Sequence, residues 1–251
     1  MKTKISKIKK NKPILLLSET KSYLIPCQGK FSCKYGAVDL DKVVGKKFGI
    51  TVKLGKQKFS IINPNIRDMM FISLKRGPAV ILPEDAAMIV AQAGIGVGSK
   101  VIEAGSGSGF LSIFLANIGC DVYSYELRKE HFLKAKNNIL RANKKVHIFN
   151  KDILKARLPK DMDLVVLDMK YADKVVKKAY ASLKHGGWLC VYSLHIEQMA
   201  AVVKAMKKFQ NIKILECLQR KWQSQGKDET YTRPKTHMLG HTGFLIFGRK
   251  A

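Results

Sequence analysis

One stretch narrows the possible folds more than any other: Lys100-Val101-Ile102-Glu103-Ala104-Gly105-Ser106-Gly107-Ser108-Gly109-Phe110. A short apolar run enters a turn of three alternating glycines, and a second apolar run opens directly behind it. The pattern is that of a buried strand, a tight turn and a helix N-terminus. Glycine lets backbone approach a ligand closely, and the first turn of a helix carries N–H groups with no partner of their own. In sheets that alternate strands with helices, such a turn holds a nucleotide-like cofactor.

The rest of the chain supplies that alternation. After Pro78, Pro83-Glu84-Asp85 has the proline and acids of a helix first turn, with Ala86–Ala93 behind it and Gly94, Gly96 and Gly98 ending it. Strands are expected at 100–104, 121–126, 146–149, 163–167 and 188–192, and helices at 110–118, 129–142, 173–184 and 196–209. Two last strands, 212–218 and 242–247, are separated by a polar, irregular segment and predict an antiparallel hairpin at one sheet edge. The whole is an α/β fold with a doubly wound, mostly parallel sheet. Residues 1–75 read differently. Short alternating runs, Phe48–Leu54 and Lys58–Ile62, lie among Gly45, Gly55 and Asn63-Pro64 and predict a small β-rich N-terminal domain with a basic tail, ahead of a strand–helix domain over 76–251.

Charge narrows the partner. The chain has 46 basic and 19 acidic residues, a net +27, where small domains sit within about 2–8 charges of neutrality. The surplus favours a polyanion, nucleic acid ahead of anionic membrane, with a generally basic proteome as the bland alternative. Lys2, Lys4, Lys7, Lys9, Lys10 and Lys12 read either as a solvated tail or as an RNA-contacting arm. Only Ile14–Leu17 follows them, too short for a signal-peptide core, and no apolar run has the length of a membrane span, so a cytoplasmic protein is expected. The five cysteines form no CxxC, and His131, His147 and His195 lack ligand spacing, so neither a disulfide framework nor a metal site is expected.

The spacing Gly105-x-Gly107-x-Gly109 lacks the extra residue of a dinucleotide turn, which argues against NAD and toward S-adenosyl-L-methionine. Three acids at successive strand ends strengthen this. Glu126 can accept from both ribose hydroxyls, Asp152 from an adenine amino group, and Asp168 lies where the cofactor's methyl would point. Glu103, Ser106 and Ser108 of the turn, and Leu127 and Ile153 directly behind two of the acids, complete the expected cofactor site. Each acid alone reads equally well as a turn or cap residue. Together, in strand order, they face one crevice at the carboxyl ends of the strands.

With these residues in place, the sequence resembles the tRNA (adenine-N1)-methyltransferases that modify adenine 58 of the T-loop. Three parts carry the resemblance: Gly36–Gly45 with Leu74-Lys75-Arg76 and Pro83-Glu84-Asp85, then Glu103–Gly109, and finally Arg233-Pro234 with Gly240-His241-Thr242-Gly243-Phe244-Leu245. The resemblance implies a Rossmann-like S-adenosylmethionine-dependent methyltransferase sheet with a small β-rich N-terminal domain, S-adenosyl-L-methionine as donor, tRNA as partner, and a homo-oligomer, usually a tetramer. It implies a catalytic aspartate at Asp168, with the glycine turn, Glu126 and Asp152 on the cofactor. The chain departs from the pattern at Met169-Lys170-Tyr171-Ala172, where many relatives carry a proline- and tryptophan-containing turn, and at Leu82 and Glu84. Tyr192, Arg76 and His241 are the substrate-binding candidates: Tyr192 stacks on an everted adenine or simply packs, and His241 shapes the pocket or braces the last strand. Two other readings are a protein L-isoaspartyl methyltransferase and a non-catalytic RNA-binding subunit on the same fold.

Overall fold

The computed structural model describes residues 6–75, 80–225 and 231–251. The chain divides into two compact units, Met1–Leu74 and Lys75–Ala251.

In the first unit, strands β1 (Pro13–Leu17), β2 (Ser22–Pro26), β5 (Thr51–Leu54) and β6 (Gln57–Ile62) form an antiparallel sheet in the order β2-β1-β6-β5. A separate hairpin pairs β3 (Lys30–Cys33) with β4 (Gly36–Asp39). A short helix, α1 (Ile66–Asp68), closed by a capping box between Asn65 and Asp68, continues into π-helical backbone at Met69–Ser73. The apolar run Ile14–Leu17 forms a core strand, with Ile14, Leu15 and Leu16 buried and Ile14 and Leu16 packed in one cluster with Phe59 and Ile61. The basic segment ahead of it is no free tail from Lys7 onward. Ile8 is 1% exposed, its N–H donates to the Lys46 carbonyl at 2.8 Å, and its carbonyl accepts from Gly45. One isoleucine among lysines has enough apolar surface to pin the segment, worth about 2 kcal/mol when fully buried. Lys2 and Lys4 lie outside the described residues.

The second unit is a seven-stranded sheet with helices on both faces. Its strands are β7 (Lys100–Ala104), β8 (Asp121–Tyr125), β9 (His147–Phe149), β10 (Met162–Leu167), β11 (Leu183–Ser193), β12 (Gln210–Glu216) and β15 (Phe244–Arg249), in the order β12-β15-β11-β10-β7-β8-β9. Between them lie α2 (Pro83–Ala93), α3 (Phe110–Asn117), α4 (Lys129–Arg141), α5 (Val176–Ser182) and α6 (Ile196–Ala205). Strands β7 to β11 are mutually parallel, and β15 runs antiparallel to both of its neighbours.

Alternation along the strands divides the core in two. Ile102, Val165, Leu167, Leu189, Val191 and Ile246 pack with α5 and α6 on one face. Val101, Val122, Leu164, Val166, Cys190 and Phe247 pack with α2 and α3 on the other. Both faces are covered, which is why these strands read as nearly continuous apolar runs. The antiparallel edge pair forms as expected, and one expectation changes, that the segment between its strands is irregular. The last two strands do pair at an edge, but the later one, β15, is the inner strand, inserted between β11 and β12. The segment between them also carries structure, a hairpin of β13 (Trp222–Gln225) with β14 (Tyr231–Pro234). No helix among the described residues is long and apolar enough to cross a membrane.

Candidate active site

The glycine turn joins β7 to α3 with left-handed backbone at all three glycines: φ is 91° at Gly105, 55° at Gly107 and 77° at Gly109. The three have different tasks. A Cβ on Gly105 would fall 1.8 Å from the Asp168 carbonyl oxygen, so the turn closes directly under the end of β10. One on Gly109 would meet Ala135 at 3.2 Å, where α3 packs on α4. A Cβ on Gly107 would meet only the Gly105 carbonyl oxygen, at an ordinary 3.8 Å, so this is the least crowded of the three.

Beneath the turn lies a buried polar cluster. Glu103, 2% exposed, accepts from the hydroxyls of Ser112 and Ser124, the latter at 2.7 Å, and Ser124 lies 2.5 Å from the Ser106 hydroxyl. Burial pushes the Glu103 carboxyl up to about 7, against the opposing effect of its two serine donors. The sequence shows Ser112 and Ser124 only as strand and helix residues; nothing in their spacing marks them as partners of Glu103. The buried hydroxyl of Ser108 has no hydrogen-bond partner among the described residues, and Ser108 lines a small crevice with Glu103, Ser106 and Asp168. An orphaned polar atom at such a place is the mark of a group waiting for a ligand.

The main cavity, about 500 Å³, opens at the carboxyl ends of β7 to β10, a volume suited to a small-molecule ligand. It brings together Gly105, Gly107, Glu126, Leu127, Asp152, Ile153 and Asp168, which the sequence places at separate strand ends. Glu126 is already engaged: one carboxylate oxygen accepts from the Gly107 N–H and the other from the Arg128 N–H, both at 2.9 Å. Each oxygen has a second lone pair, so the side chain brackets the turn and can still accept from a ligand hydroxyl. Asn150 ties the end of β9 to β8 by donating to the Glu126 and Leu127 carbonyls at 2.8 and 3.0 Å. Asp152, which lines the cavity, accepts from the Leu154 N–H at 2.9 Å, an Asx turn that occupies one of its two carboxylate oxygens.

Asp168 is anchored by its own N–H, which donates to the Ala104 carbonyl at 2.9 Å, and it lines both the cavity and the small crevice. Burial, reinforced by the charge of Glu126, pushes its carboxyl up to about 6. The cavity lip beyond it is Met169-Lys170-Tyr171, with Tyr171 in left-handed backbone and two lysine ammonium groups, Lys170 and Lys174, 5.0 and 4.7 Å from its ring centre. Arg128, His131, Lys134 and Lys151 line the same cavity and form its basic rim.

The three acceptor-side candidates fare differently. Tyr192 is 7% exposed at the end of β11, and its hydroxyl donates to the Thr242 carbonyl. His241 stands on the segment before β15, bonded to the Glu216 carboxylate and, at 3.2 Å, to the Leu194 carbonyl. The hydrogen bond to Glu216 raises its pKa. Arg76 lies outside the described residues.

Residues 64–228 match the model of the family described as tRNA methyltransferase complex GCD14 subunit. The chain is 31% identical to tRNA (adenine(57)-N(1)/adenine(58)-N(1))-methyltransferase TrmI of Methanocaldococcus jannaschii, over 88% of each chain. It is 30% identical to the tRNA (adenine(58)-N(1))-methyltransferase TrmI of Thermus thermophilus, over 77% of this chain and 78% of that one. Among solved structures, the tRNA (m1A58) methyltransferase TrmI of Aquifex aeolicus superposes with a TM-score of 0.84 at 23% identity, covering 98% and 99% of the two chains. A SAM-dependent O-methyltransferase of Thermotoga maritima superposes with 0.85 at 25% identity, covering 97% and 94%.

Proposed function

The chain belongs to the tRNA methyltransferase complex GCD14 subunit family, and from that premise we propose that it methylates N1 of adenine 58 in the T-loop of tRNA, using S-adenosyl-L-methionine. The observation that carries this reading is the meeting of Gly105, Glu126, Asp152 and Asp168 in one cavity, in a chain 31% identical to an enzyme of that activity. A non-catalytic subunit would have no use for all four.

The residues fit the donor. The uncrowded backbone at Gly107, the Ser108 hydroxyl left without a partner among the described residues, and the remaining acceptor capacity of Glu126 and Asp152 provide a cradle for a nucleoside with an amino-acid tail. When bound, S-adenosylmethionine supplies an electrophilic methyl group on a sulfonium. The chain's own contribution is placement and charge. Glu126 and Asp152 orient the nucleoside, and the glycine turn allows close approach. Asp168 accepts a hydrogen bond from the adenine amino group and stabilises the positive charge that develops on the base as N1 is methylated. Tyr192 supplies a wall of the acceptor site. N1 lies on the pairing edge of the base, so the nucleotide is everted from its stack.

The test is methylation of an unmodified tRNA transcript with labelled donor, followed by mass spectrometry of the digest. N1-methyladenine in the T-loop fragment is the expected product, and label on any oxygen or on a nucleotide other than adenine 57 or 58 would overturn the reading. The same digest reads adenine 57, the second target of the Methanocaldococcus relative. With a net charge of +27, tRNA affinity is expected to fall at least about tenfold between roughly 50 and 200 mM salt, because phosphate neutralisation releases counterions. A flat response would remove the electrostatic argument.

A homo-oligomer, with four subunits as the resemblance implies, is proposed with it. Strand β12 ends the sheet among the described residues, with Ile212 and Ile214 39% and 45% exposed, an apolar edge that favours pairing with or cover by another chain. Light scattering giving a monomer mass at micromolar concentration would dispose of it.

A further inference from the structure

Asp85 takes no part in the mechanism above, yet it is among the most completely buried charged residues of the described chain, 0% exposed in the first turn of α2. Burying a carboxyl without a cation is costly, so its hydrogen bonds must have a purpose or a compensation. Its partners are all uncharged. The Thr242 hydroxyl donates to one oxygen at 3.2 Å and the Tyr192 hydroxyl lies 3.5 Å from the other, while the nearby Cys217 thiol donates to the backbone carbonyl of the preceding residue, Glu84, at 3.8 Å. The Tyr192 hydroxyl gives its single proton to the Thr242 backbone carbonyl, and its oxygen stays beside Asp85, which closes a ring of three residues from α2, the end of β11 and the segment before β15. Gly243 completes the seat: a Cβ there would come within 2.5 Å of the Tyr192 ring.

The ring of contacts points at the site already described. Across β10 and β11, Val166 faces Cys190 and Leu167 faces Val191. One step further, the two chains deliver Asp168 and Tyr192 to the same end of the sheet. Burial raises the phenol's pKa, and the negative charges of Asp85 and Asp168 raise it further. A tyrosine held only at its Cβ has two free torsions; one held also at its hydroxyl presents its ring in a single place.

We propose that Asp85 is a positioning residue for methyl transfer: through Thr242 and the Tyr192 hydroxyl it fixes the Tyr192 ring as a wall of the acceptor site beside Asp168. The inference rests on the functional reading above. Wild-type protein is therefore assayed first on a tRNA transcript, and absence of N1-methyladenine overturns that reading itself. With an active wild type, Asp85→Ala, Asp85→Asn, Thr242→Val and Tyr192→Phe are compared for kcat, KM for tRNA, affinity for S-adenosylhomocysteine and Tm. Asp85→Ala and Tyr192→Phe are each expected to lower kcat by about ten- to a hundredfold, the scale of a misplacement near 1 Å, with cofactor affinity held within about twofold. Their double variant is no worse than either alone. Asp85→Asn recovers most of the rate, because its amide accepts from Thr242 and donates to the phenol oxygen. If Asp85→Ala does not fold, Thr242→Val, which removes one hydroxyl at nearly constant shape, takes its place with the same direction of change. An unchanged kcat in a folded variant, losses that multiply in the double variant, or an Asn variant as slow as Ala overturns the tether.

Discussion

Replacing Asp168 with alanine is expected to lower kcat by about 10²–10³-fold, the usual effect of removing one preorganised electrostatic contact, while S-adenosylhomocysteine still binds. The expectation follows from where the carboxylate sits. Its backbone is fixed to β7 through the Ala104 carbonyl, and its side chain lines the cavity at the carboxyl end of β10. Methylation of adenine N1 removes no proton from N1 and leaves a cation, so a fixed negative charge beside the base is the contribution that the reaction can use. Only the ionised form serves. The Asp168 carboxyl is raised to about 6 by burial and by the charge of Glu126, so kcat/KM is expected to fall about tenfold per pH unit as pH drops through about 6, and Asp168→Asn should lose that limb. Stability runs the other way. A carboxyl whose folded pKa is raised stabilises the fold while protonated and loses that contribution as pH rises through about 6. Asp168→Asn should therefore melt no lower than wild type at neutral pH. A variant with wild-type kcat, or one whose only defect is cofactor binding, would end the assignment.

Gly105→Ala is expected to produce the largest loss of structure from a single methyl group. The added carbon would sit 1.8 Å from the Asp168 carbonyl oxygen, on backbone with φ of 91°. Left-handed strain and overpacking together amount to about 2–6 kcal/mol, or roughly 5–15 °C in Tm for a unit of this size. Gly107→Ala has the left-handed backbone without the clash, so about 1 kcal/mol is expected of it. The pair is informative through its contrast in cofactor affinity. Gly105→Ala should lose binding because the turn and the Asp168 backbone can no longer coexist, whereas Gly107→Ala should weaken binding with little change in Tm. Equal effects on Tm would show that the close approach of β7 and β10 at Gly105 is not what shapes the turn.

Much of the cavity was legible from residue order. A strand's end can be read from its apolar run, and in a parallel sheet all such ends lie on one side, so Glu126, Asp152 and Asp168 had to meet. The glycine spacing could be read too, since few other residues tolerate three positive φ values in five positions. Less was legible at the other sheet edge. Strands 212–218 and 242–247 pair as expected, but nothing in either run says that β15 belongs inside and β12 outside. Ile8 among the lysines looked like part of a solvated segment, because one apolar residue carries no period; its burial depends on Gly45 and Lys46.

By itself, then, the sequence determined the α/β class, the glycine turn and the acids at the strand ends, because these depend on local periodicity and on the direction of parallel strands. Only the tertiary structure decided the purpose of Asp85, the cluster of Glu103 with Ser112 and Ser124, and the seat of Tyr192. Asp85 in Pro83-Glu84-Asp85 has the sequence appearance of a helix first-turn acid, and its partners Tyr192 and Thr242 are 107 and 157 residues away. A hydrogen bond needs atoms within about 3 Å of one another, and separations of that order in the chain become contacts only when the sheet order brings α2, β11 and the segment before β15 to one corner.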